Sequence, residues 1–92
     1  MIIFIKVNRL LKTIKESTDF DKIIFSVGNT IKDLRIKAGY NSYEVFAWEN
    51  GLSIIQYWKM EKGINCTLKS LHKVLKIHNL TYQEFFDLLE DK

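Results

Sequence analysis

The side chains able to do chemistry are few: two histidines, His72 and His78, and a single cysteine, Cys66. An enzyme needs acid, base or nucleophile groups converging on one point. His72 and His78 lie six residues apart, which puts them on different faces of a helix, whereas a helical metal pair wants the i, i+4 spacing. No carboxylate stands at a recognisable motif spacing from either, so the pattern reads as ordinary surface histidines. Cys66 has no second cysteine for a disulfide and no Cys or His at ligand spacing for zinc, which fits a reducing cytoplasm. There is no phosphate-binding glycine loop and no Ser-His-Asp signature. The expectation is a protein that is not an enzyme and that uses no cofactor, metal or small-molecule substrate.

What remains is binding, and the totals constrain it. The chain has 92 residues, 47% hydrophobic and 27% charged, enough for one folded core and too few for a second functional unit. Fourteen Lys and Arg against eleven Asp and Glu give a net charge of +3, which permits a nucleic-acid partner without demanding one. Only Arg9 and Arg35 are arginines, so bidentate reading of guanine is poorly supplied, phosphate contacts fall to lysine, and a bias towards A·T-containing sites follows. The apolar run Met1 to Val7 includes Lys6 and is far shorter than the roughly 20 residues of a spanning helix. No small-residue cleavage site follows it, so the expected location is cytoplasmic, with no membrane partner.

No proline occurs, and Gly39, Gly51 and Gly63 punctuate the chain between apolar residues recurring at three and four. A first helix is expected over about 21–38, with Ile24, Val27, Ile31, Leu34 and Ala38 inward and Gly39 as its stop. A short second helix over 42–48 opens on Ser42 and buries Phe46 and Ala47. The third spans 53–61, with a Ser53 to Gln56 capping box and Gly63 beyond it. The fourth runs over about 65–77 with Leu68, Leu71, Val74 and Leu75 inward. The fifth opens on the Thr81 to Glu84 box and carries Phe85, Phe86, Leu88 and Leu89. The predicted fold class is all-α: a five-helix domain over 20–92 with an N-terminal extension over 1–19. In that extension Ile3, Val7, Leu10, Leu11 and Ile14 fit a helical stripe, while Ile3, Ile5 and Val7 also fit a strand; helix is the expectation after Asn8. The stripe either covers the domain's own core or pairs with a second copy, which makes it a candidate dimerisation element.

Residues 43–62 carry the functional pattern. Phe46 and the small Ala47 precede Gly51 and Leu52, and Tyr57 and Met60 follow. That order suits two short helices crossing at a glycine turn. The segments GNTIKDLRIKAGY, NSYEVFAWENGLS, QYWKMEKG, TLKSLHKVLKI and TYQEFFDLL, in this order, resemble the phage repressor and Cro-like helix-turn-helix family of the xenobiotic-response-element type, from Gly28 to Leu89.

The resemblance implies a lambda-repressor-like domain binding double-stranded DNA, a repressor-like transcriptional regulator acting as a homodimer, with helix 53–61 in the major groove. It places Ile54, Ile55 and Lys59 at base edges. Ser42, Tyr43, Ser53 and Gln56 fall at phosphate-holding positions, and Lys62 and Asn65 add donors in the loop after the helix. It also makes Arg35 and Glu61 a structural ion pair between the first and third helices. Apolar Ile54 and Ile55 at a helix start suit thymine methyl groups equally with packing on the fourth helix or a partner.

Three positions depart from the family pattern: Tyr43 stands where glutamine is commonest, Ile54 where a polar or arginine residue is common, and Cys66 where a proline often begins the next helix. Trp58 is large for a position approaching the DNA backbone; it can stack on a sugar-phosphate edge or pack on a neighbouring surface. Ile54, Ile55 and Trp58 also raise the alternative of a protein-interaction module, such as an antitoxin or phage-borne domain with weak DNA binding.

Overall fold

The computed structural model describes residues 2–90, with side chains over 19–89. Five helices follow one another: α1 Ile2–Lys37, α2 Tyr43–Glu49, α3 Ile54–Glu61, α4 Leu68–Ile77 and α5 Tyr82–Glu90. No strand occurs among the described residues, which settles the 1–19 segment as helical over 2–19. α1 does not begin near Asp21 as expected. No glycine or proline interrupts the chain before Gly28, so the helix runs back unbroken to Ile2. At 1.5 Å per residue it is about 54 Å long, and it sets the longest dimension of the molecule, 58 Å against 26 and 21 Å.

The C-terminal half of α1 packs chiefly on α3 and also on α2 and α5. The core gathers Val27 and Ile31 from α1, Phe46 and Ala47 from α2, Tyr57 and Met60 from α3, Leu71, Val74 and Leu75 from α4, and Phe85 from α5. Phe46 is its hub: Tyr40 meets it edge-on at 5.1 Å, Tyr57 lies tilted at 5.1 Å, and His78 stacks on it at 5.4 Å. His78 is therefore no surface residue. Burial holds its pKa below the ordinary 6.5, and its Nε2 is enclosed without a hydrogen-bond partner. The unfolded chain takes up this proton more readily than the folded one, so stability is full above pH 6.5 and falls as pH drops through the lowered folded value. Urea midpoints near pH 7.5 and pH 5.5 should show this decline, and His78→Phe, which keeps the stack, should flatten it. Equal pH dependence in both proteins would remove His78 as the cause.

Local signals explain the helix ends. Ser42, Ser53 and Thr67 cap α2, α3 and α4, accepting hydrogen bonds from the Val45, Gln56 and Ser70 N–H groups. Thr81 and Glu84 form both halves of their box, at 3.0 and 3.1 Å, and the Thr81 N–H holds the Glu84 carboxyl below its usual pKa. Because Thr67 is the cap, α4 starts at Leu68 rather than Asn65, and Leu68 turns outward instead of into the core. Ala38 is likewise exposed beyond the end of α1, and Arg35 takes the buried place one turn earlier. Among the described side chains of α5 only Phe85 is fully buried; Phe86 is exposed and Leu88 and Leu89 are half-buried.

Candidate nucleic-acid interface

α2 and α3 meet through residues 50–53. Gly51 takes φ +70, the Leu52 N–H bonds the Ala47 carbonyl at 2.8 Å, and the Asn50 side-chain amide bonds the Phe46 carbonyl at 2.8 Å. The fully buried Ala47 lets α3 cross close by.

α3 is held from behind. Arg35 donates from Nε to Glu61 Oε2 at 2.7 Å and from Nη2 to Oε1 at 3.1 Å, a two-pronged fork. Its Nη1 donates to the Tyr40 carbonyl at 2.8 Å, a third bond that the sequence did not suggest. Both side chains are nearly closed off, at 5% and 6% exposure. The Tyr57 hydroxyl is buried beside this pair, and burial first, then the Glu61 carboxylate, raises its pKa. Gly28 lets α1 and α3 touch backbone to backbone: a Cβ there would lie 2.6 Å from the carbonyl oxygens of both Met60 and Glu61.

With its back fixed, α3 presents an outer face. Ile55 is 67% exposed, and Gln56 and Lys59 are exposed beside it. Ile54 differs from its neighbour, being half-buried against the core, which is the packing alternative for that residue. Gln56, Lys59 and Asn65 come together in a groove of about 450 Å³ between α3 and α4, completed by Met60, Thr67, Lys69, Ser70 and Lys73. Among the described residues, no acidic side chain lines it. Tyr43 and Lys62 lie in a second groove of about 280 Å³, with Phe25, Asn29, Lys32 and Trp58. Trp58 is half-buried and lines that groove. Ser42 and Ser53 accept the cap bonds through their hydroxyl oxygens, a role that does not use the O–H as a donor.

No family model, curated protein or solved structure matches the chain. Among the described residues, no group of three or more His, Cys, Asp or Glu side chains could hold a metal ion, and no helix is long and apolar enough to cross a membrane. His72 bonds Tyr82 across α4 and α5, Nδ1 to hydroxyl, at 3.0 Å. Burial pushes the Cys66 thiol pKa up, which disfavours the reactive thiolate.

Lys69 and Lys73 line the same groove without any local sequence signal that singles them out. Their i, i+4 spacing was visible, but that α4 lays them against Lys59 of α3 is a property of the packing.

Proposed function

We propose that the chain is a helix-turn-helix reader of duplex DNA of the phage-repressor type, cytoplasmic and dimeric, whose α3 enters the major groove and represses transcription by occlusion. The observation that carries this reading is the outer face of α3: exposed Ile55, Gln56 and Lys59 continue into a groove rich in lysine and free of acid. Ile55 contacts a thymine methyl, Lys59 and Gln56 reach base edges or phosphate, and Asn65 adds an amide donor. Ile54 supports the helix from the core side. The apolar sequence pattern Ile3, Val7, Leu10, Leu11 and Ile14, carried on the helical stretch 2–19, is the feature that supports a dimer.

Selection of bound sites from a random duplex pool, at low and high salt, tests the reading. A salt-sensitive, two-fold symmetric motif is expected. Lys59→Ala should then lower specific affinity by about 1–3 kcal/mol; unchanged binding to the selected site would exclude Lys59 from the readout.

One observation favours a second reading, a protein-binding module. Trp48 on α2 is 77% exposed, and Val45 is exposed one turn before it. Large exposed aromatics are common anchors of protein interfaces. This reading requires a partner complex that persists at high salt and is lost in Trp48→Ala.

A further inference from the structure

The α3–α4 groove sets like charges together at a cost. Lys69 and Lys73 stand one turn apart on α4, about 6 Å along its axis, and Lys59 faces them from α3. Like charges at i, i+4 are mutually destabilising. Lys69 also lies in the first turn of α4, where the helix dipole favours acids, and that turn holds none. Within the groove nothing offsets this: its other polar side chains are Gln56, Asn65, Thr67 and Ser70, all neutral. Uncompensated ammonium groups from two helices, converging on one open cavity with amide donors beside them, match a ligand that carries several negative charges in a row. Lysine, a point charge, suits single phosphate oxygens rather than flat carboxylates held by a fork.

We propose that this groove is a phosphate-binding site and that Lys69 and Lys73 of α4 hold the sugar-phosphate strand flanking the bases that α3 reads, with Lys59 at the border between the two. The inference rests on the DNA-reading proposal for the source of the phosphates. A free oligophosphate offers the same chemistry, and the experiment separates the two.

Affinity for a duplex is measured against salt concentration for the wild type, for Lys69→Ala with Lys73→Ala, and for Lys76→Ala, a lysine of α4 outside the groove. All three positions are exposed and accept alanine in a helix, and circular dichroism verifies folding. Each phosphate contact contributes about 0.9 to the slope of log affinity against log salt. The double variant should therefore lose about 2 from the slope with an unchanged base preference, while Lys76→Ala keeps the wild-type slope. A wild type with a steep slope that the double variant retains would overturn the proposal. In a second arm, tripolyphosphate is titrated into the protein without DNA. Should the wild type bind no duplex yet bind tripolyphosphate, with that binding lost in the double variant, the DNA reading fails and the phosphate site stands with a free ligand. Binding of neither probe overturns the site itself.

Discussion

Arg35→Met is expected to cost about 3–5 kcal/mol of stability, because it strands a buried carboxylate. Glu61 is 6% exposed and holds two bonds from the guanidinium, and the Tyr40 carbonyl loses its donor as well. A loss of that size approaches the whole stability of a small domain. One control separates charge from packing. Adding Glu61→Leu should recover most of the loss, since a buried ion pair can be replaced by apolar groups at little cost. A urea midpoint for Arg35→Met within error of wild type at neutral pH would show that the fork is not holding α3. Arg35→Lys is expected to be poorly tolerated too, because an ammonium cannot serve both carboxylate oxygens and the Tyr40 carbonyl in one plane.

Gly28→Ala should be the next most damaging change, against the usual rule that alanine improves a helix by about 1 kcal/mol over glycine. The added methyl would stand 2.6 Å from two carbonyl oxygens of α3, and both are backbone, so no side chain can swing aside. Relief requires α1 and α3 to separate, which loosens the packing around Ile31, Tyr57 and Met60. Overpacking of this kind costs about 1–3 kcal/mol, or a fall in Tm on the order of 4–8 °C per kcal/mol for a domain of this size. Asn29→Ala, one residue on, is the matched control, and thermal unfolding followed by circular dichroism reads both. A Tm raised by Gly28→Ala would mean that the helices do not approach so closely.

The sequence disclosed what is decided locally. Ser42, Ser53 and Thr81 announced helix starts because a cap acts within three residues, and Gly51 announced its turn because φ is a property of one residue. Leu68 was misjudged on the same ground: its apolar character fitted the stripe, but Thr67 one residue earlier fixed where α4 begins and which way Leu68 faces. Gly28 drew no comment because its reason lies in α3, more than thirty residues away. The Arg35–Glu61 fork was anticipated from family resemblance alone. For the candidate interface, the exposed row on α3 was legible and its continuation on α4 was not. Sequence spacing fixes which residues share one helix face and says nothing about the angle at which two helices cross.

The unbroken course of α1 from Ile2 to Lys37 relates residues 2–18 to the domain by a helical phase. Each residue advances the helix by 1.5 Å and turns it by about 100°. One residue inserted near Thr18 would therefore swing whatever the first half binds through about 100° relative to α3. Removing seven would shorten the reach by about 10 Å yet return the same face to within about 20°. Spacing upstream of the domain is thus an angular setting, and length changes in multiples of seven are the ones its geometry tolerates.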